Sequence, residues 1–193
     1  MKKMPLLTLL IPIVSLLLNK SNPLVPIQVE KNITLDSYMG LWHQVGTSES
    51  TALFGTGPKF TKVSAFYNVI KSQPNTTNIS VFNFGFDTHG SFTEIHGFSY
   101  SEPNELPTKR KVKFDGLFFE GSYWIVKLGR IKNDQYQYAI ISGPLTSFVG
   151  TRFSLYVLAR NRSEYNNTYK NEVKDWCNSH GFIFPWNKYI DTY

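Results

Sequence analysis

Cysteine is almost missing from this chain. Cys177 stands alone among 193 residues, which excludes an intramolecular disulfide. Its thiol is either buried on the apolar face of a helix or left free for a bridge to another molecule. Long apolar runs are also scarce. The stretch from Met4 to Leu18 is interrupted by Pro12 and falls short of the roughly 20 apolar residues that span a bilayer. With Lys2 and Lys3 before it and Asn19-Lys20-Ser21-Asn22 after it, it reads as a secretory signal cut between Ser15 and Asn22. The expected organisation is a signal peptide over 1–20, an N-terminal extension over 21–34 and one folded domain over 35–193.

Catalytic signatures are lacking as well. The histidines His43, His89, His96 and His180 show no spacing that brings them together, so neither a metal site nor a general base is expected. Gly97-Phe98-Ser99-Tyr100-Ser101 misses the Gly-x-Ser-x-Gly elbow, and Gly55-Thr56-Gly57 is too short to cradle a phosphate. No catalytic residue and no cofactor follow from the sequence. Dense charge is equally sparse. Twenty Lys and Arg against 14 Asp and Glu leave a net +6, but the basic residues are scattered. The one cluster, Lys109-Arg110-Lys111 with Lys113, opens an apparent strand and reads as a solvated edge, with contact to an anion as the alternative. Nucleic acid is not an expected partner; a transient membrane contact stays open.

What the chain does have is β-forming residues in short runs. Aromatics make up 16% of it, and Val, Ile, Phe and Tyr recur in segments about ten residues long, separated by turn chemistry. The strand candidates are Trp42–Thr47, Lys59–Ile70, Asn78–Phe86, Ser91–Tyr100, Lys111–Phe114, Ser122–Leu128, Gln135–Ser142 and Phe153–Arg160. The turns between them include Ser72-Gln73-Pro74-Asn75, Asp87-Thr88-His89-Gly90, Asp115-Gly116, Asn133-Asp134 and Gly143-Pro144. Only Ser163–Ser179 switches to helical spacing, through Tyr165, Tyr169, Val173, Trp176 and Cys177, and Gly181 supplies a stop. The final Phe182–Tyr189 reads as extended. Eight sequential strands and a late helix predict an all-β fold: an eight-stranded antiparallel up-and-down β-barrel with one C-terminal α-helix packed outside.

Leu35-Asp36-Ser37-Tyr38-Met39-Gly40-Leu41-Trp42 resembles the first motif of the lipocalin family, in which Gly-x-Trp opens the first strand. Val63-x-Ala65-x-Tyr67, the run Tyr136 to Pro144 and Leu155 to Arg160 agree in order and spacing. The likeness covers about Leu35 to Tyr189 and is nearest the apolipoprotein D and bacterial lipocalin branch. It implies that Gly40 lets the chain enter the barrel floor, that Trp42 plugs it and that Arg160 lays its guanidinium over the indole, all three structural. The chain departs from that branch in lacking both its disulfides and the lipid-anchoring Cys of its bacterial members, which favours a soluble secreted form.

The expected function is carriage of a small hydrophobic ligand, such as a fatty acid or lysophospholipid, in the lumen of a secreted, monomeric barrel. Alternation places Val63, Ala65, Tyr67, Val81, Asn83, Val112, Phe114, Tyr123, Ile125, Tyr138 and Ile140 on the lumen wall, apolar with a few polar handles. Two rivals remain: a lipid-modifying enzyme on the same fold, and a protein-binding decoy acting through loops such as Ser48–Pro58. Five sequons, at Asn32, Asn75, Asn78, Asn161 and Asn166, are expected glycosylation sites.

Overall fold

Residues 27–54, 60–70, 77–147, 150–185 and 187–192 are described by a computed structural model. The apolar leader, the Ser72–Asn75 turn with its Asn75 sequon, and Gly55, Gly57 and Pro58 lie outside the described residues.

The strands are β1 Gly40–Ser48, β2 Phe60–Ile70, β3 Asn78–Asp87, β4 Phe92–Ser101, β5 Lys109–Phe114, β6 Glu120–Leu128, β7 Ile131–Lys132, β8 Gln135–Tyr136, β9 Tyr138–Ser147, β10 Gly150–Ala159 and β11 Tyr189–Asp191. Strands β1 to β6, β9 and β10 pair antiparallel in sequential order, and β10 pairs back onto β1, closing an eight-stranded barrel without open edges. The turns form where local chemistry dictates. At the β3–β4 tip the Asp87 carboxylate accepts from the backbone N–H of His89 and of Ser91, both at 2.8 Å. Asn133 and Asp134 both take left-handed φ, +50° and +60°, and close the β7–β8 hairpin. That small hairpin, and a break at Gln137, divide what the sequence presents as a single strand from Gln135. Gly143-Pro144 is not the turn expected: it lies inside β9, paired with Ser154 and Phe153, and the strand runs on to Ser147.

Short helix α1 (Leu35–Tyr38) crosses one end of the barrel, and α2 (Glu49–Phe54) follows β1 at the other. The C-terminal helix comprises α3 (Arg162–Glu164), a π-helical turn over Tyr165–Tyr169, and α4 (Lys170–Ser179). It starts at Asn161, whose side chain accepts the Glu164 N–H at 2.9 Å. Its buried residues Tyr165, Tyr169, Val173 and Cys177 recur every four positions, more than the 3.6 of an α-helix. The π turn absorbs the excess and keeps all four on the barrel. Gly181, at φ +88°, ends the helix while Phe182 donates its N–H to the Cys177 carbonyl at 3.0 Å. The following segment is not extended as expected. Residues 181–185 turn so that Phe182 seals the outer core, and only Tyr189–Asp191 forms a strand, added to the upper part of β1.

Two apolar cores result. One lies inside the barrel, around Trp42, Tyr67, Val81 and Ile125; the other lies between the outer barrel wall and the C-terminal helix, around Val45, Ile140, Leu155 and Val173. Strands β9 and β10 are therefore apolar on both faces. Cys177 belongs to the outer core, fully buried, and burial pushes its thiol pKa up to about 12.

Candidate functional site

The barrel floor is built by the first motif. Gly40 sits at φ +92°, a conformation that only glycine adopts without strain, and turns the chain from α1 into β1. Trp42 then points inward with no exposed surface, and its indole N–H donates to the Tyr38 carbonyl at 2.8 Å. Arg160, just past β10, places its guanidinium carbon 3.7 Å from the centroid of the Trp42 ring. The same guanidinium donates to the carbonyls of Ser37 (3.1 Å), Tyr38 (3.0 Å), Met39 (2.7 Å) and Leu41 (2.6 Å). It thus collects the free carbonyls at the end of α1. Burial lowers its pKa to about 10, so the cation persists at neutral pH.

Above the floor the lower lumen is filled with phenols. Tyr38 stacks on Tyr67 with centroids 5.8 Å apart, and Tyr67 meets Tyr123 edge-on at 6.2 Å. Their hydroxyls form a chain: Tyr38 and Tyr123 share a bond of 2.6 Å, and Tyr123 donates to Tyr67 at 3.1 Å. Burial raises the pKa of all three, that of Tyr67 to about 12, which keeps them neutral hydrogen-bonding groups.

Arg110 corrects the reading of the basic cluster. Its neighbours Lys111 and Lys113 are exposed, but Arg110 pairs with Tyr123 across β5 and β6, points inward and retains only 2% of its surface. It donates to the hydroxyls of Ser99 (2.9 Å) and Ser101 (3.2 Å) and to the carbonyls of Pro107 (3.1 Å), Thr77 (2.7 Å) and Ser99 (2.8 Å). These neutral acceptors satisfy the guanidinium, which stitches β3, β4 and β5 together at the closed end. Nor is β5 an edge: it lies between β4 and β6.

Of the expected wall residues, Ala65, Tyr67, Val81, Val112 and Ile125 belong to the inner core, and Phe114 and Tyr123 pack on it half-buried. Val63 lies beside Gly85 at the open end, where β2 carries an irregularity between Thr61 and Ser64. Asn83 pairs with inward-facing Ala65 on one side and Ile95 on the other. Its side-chain oxygen is buried with no partner. Tyr138 and Ile140 are not on the lumen wall. They pack under the C-terminal helix, with the Tyr138 hydroxyl donating to Glu172 at 2.6 Å, while Ala139 and Ile141 point inward in their place. Irregularities at Gln137 and between Ile125 and Lys127 offset the alternation, and with both faces of β9 apolar, sequence alone cannot choose the inner one. Tyr38 also belongs to the inner core and Tyr156 packs on it. Tyr38 precedes the first strand, so strand alternation does not reach it; counting back from Leu158 along β10 reaches Tyr156.

The histidines are dispersed. His43 bonds the Ser64 hydroxyl at 2.9 Å, His96 stacks outside on Phe82 at 4.6 Å, His180 stacks on Trp176 at 4.0 Å, and His89 is exposed in its turn. Among the described residues no group of three His, Cys, Asp or Glu is placed to hold a metal. Asn32, Asn161 and Asn166 are exposed, and Asn78 is half-buried at the start of β3. A groove of about 610 Å³ runs between residues 28–32, Val126, Trp176 and His180, outside the barrel.

A closed barrel with an indole floor, a guanidinium beneath it and a helix on one flank is matched by a family model, the lipocalin-like domain, over residues 33–183. The chain is a lipocalin. It is 33% identical over 116 residues to the outer membrane lipoprotein Blc of Vibrio cholerae serotype O1, a match covering 60% of this chain and 61% of that relative. The matched region thus spans less than two thirds of the relative's length. Among solved structures, insecticyanin from the tobacco hornworm Manduca sexta superposes with a TM-score of 0.62 at 16% identity, over 86% of this chain and 84% of that one. H1 crustacyanin from the lobster Homarus americanus gives 0.57 at 12% identity, over 90% and 92%. At those identities the two structures speak to the lipocalin fold alone.

Proposed function

We propose that this lipocalin binds a small hydrophobic ligand, a fatty acid or lysophospholipid in class, in the open half of its lumen and carries it as a secreted monomer. One observation carries the reading: the phenol network over the Trp42 floor gives way, toward the other end of the barrel, to wall residues that are only half-buried. Tyr38, Tyr67 and Tyr123 bond to one another over the Trp42 floor, whereas Phe114 and Tyr156 pack half-buried on the inner core, and Val63 and Ile95, the latter paired with Asn83, are likewise half-buried. Such a wall gains affinity from apolar contact, roughly 0.8 kcal/mol for each methylene removed from water. The unpartnered Asn83 amide oxygen supplies a polar handle that accepts a hydrogen bond, as buried polar groups call for a partner.

Carriage fits this lining better than catalysis. Burial keeps the lumen phenols protonated, and the Cys177 thiol lies on the far side of the barrel wall with no exposed surface. The test is native mass spectrometry of the protein purified from its own source. A reproducible extra mass of lipid size supports carriage. A bare chain that also fails to take up a fluorescent fatty acid refutes it.

A further inference from the structure

Large apolar side chains on a barrel in water rarely stand mostly exposed, and in the β5–β6 loop two of them do. Phe118 is fully exposed, at 106% of its reference area, Phe119 is 69% exposed and Leu117 37%. The loop holds them there. The Asp115 N–H donates to the His96 carbonyl at 2.9 Å, the Leu117 N–H donates to the Phe114 carbonyl at 3.2 Å, and Gly116 turns the chain at φ +76°. Both anchors fix the base of the loop and leave its tip projecting. Phe114 is on the lumen wall and β6 begins at Glu120, so the tip belongs to the loop 115–119 at the mouth of the barrel. The neighbouring β3–β4 hairpin, at the same end, carries Phe86 and Phe92, 38% and 55% exposed, with rings 5.9 Å apart.

We infer that the Leu117–Phe119 tip inserts into a lipid bilayer and sets the open mouth of the barrel against the membrane surface. Two rings and a leucine on a convex loop offer on the order of 400 Å² of apolar surface, about half of what one partner contributes to a stable protein interface. A projecting tip of that size suits a fluid apolar phase better than a flat partner. The charges beside it nearly cancel. Lys113, and Lys62 with its ammonium 6.0 Å from the Phe86 ring, stand against Asp115 and Glu120. Insertion therefore needs no anionic lipid, and a zwitterionic bilayer suffices. The inference rests on exposure at the rim and goes beyond the carrier reading, for which it supplies the place of loading.

Cosedimentation of the full chain with phosphatidylcholine vesicles tests it. The Phe118→Ser/Phe119→Ser double variant is expected to lose about a hundredfold in partition, since each ring contributes about tenfold or more, at a nearly unchanged melting temperature because Phe118 is fully and Phe119 mostly exposed. A nitroxide on Leu117→Cys reports depth; the label is selective because Cys177 is fully buried. On adding vesicles it should become shielded from an aqueous relaxation agent and accessible to oxygen. Equal vesicle binding by wild type and double variant overturns the inference, as does a label that stays in water. So does a wild-type dimer in the ultracentrifuge that the double variant abolishes, which assigns the tip to a second copy of the chain. Fatty acid uptake in vesicle-free buffer separates the two readings. The double variant should retain it, and its absence from both proteins refutes the carrier while leaving the membrane tip standing.

Discussion

The guanidinium of Arg160 lies 3.7 Å from the Trp42 ring centroid, across 117 residues of intervening chain, and closes the barrel on the strand that ends it. The contact unites a cation–π attraction with four carbonyl hydrogen bonds to the segment Ser37–Leu41. First and last strands are thereby locked in one register.

Arg160→Ala is expected to lower unfolding free energy by about 2–4 kcal/mol, the sum of the lost cation–π contact and the stranded carbonyls. Arg160→Lys should recover only part, because an ammonium cannot reach that fan of acceptors. Urea unfolding of the three proteins measures both.

Val63→Trp places a large ring at the mouth of the lumen and should weaken fluorescent fatty acid binding at least tenfold. Ile140→Ala should do the opposite. It empties space beneath the C-terminal helix, costing about 2–5 kcal/mol of stability, and leaves ligand affinity within about twofold, because Ile140 faces away from the lumen. Paired binding and unfolding curves decide both.

Acid should weaken the fold in two steps. Burial, then the nearby Arg162 charge, lowers the His43 pKa below its ordinary 6.5. Its unfolded form therefore takes up a proton first, so the stability is complete above pH 6.5 and falls as pH drops from there toward the folded value. His43→Asn should erase this step. Glu172 is held below 4.5 chiefly by the Tyr138 hydroxyl, aided by Lys127. Its contribution is complete above 4.5 and is lost as pH falls through the folded value. Chemical denaturation midpoints across pH 3–8 trace both steps.

Cys177 should be silent toward a thiol reagent in the native protein and react fully in urea, since burial both hides it and raises its pKa to about 12. A disulfide-linked dimer forming under native conditions would contradict this.

The succession of strands, the turn at Asn133-Asp134 and the Gly181 helix stop were legible in the chain because they rest on local chemistry, while the floor was legible through the resemblance of its motif to the lipocalins. Glycine tolerates left-handed φ, Asn and Asp favour tight turns, and alternation of period two marks a strand wherever it occurs. What alternation marks is two faces, without saying which one is inside. On β2 and β5 the outer face carries enough polar residues to settle the matter, whereas β3 turns Phe82, Phe84 and Phe86 outward. On β9 the outer face does not settle it: the C-terminal helix covers the outer wall, so Tyr138 and Ile140 are as apolar and as buried as Ala139 and Ile141. Arg110 poses the reverse problem, since a guanidinium among lysines looks solvated until Ser99, Ser101, Pro107 and Thr77 are brought around it from β4 and the neighbouring loops. The chain by itself determined that a barrel forms and how it is stoppered. Closure of β10 onto β1 and docking of the helix decided which side chains face the ligand space, because burial depends on neighbours distant in sequence.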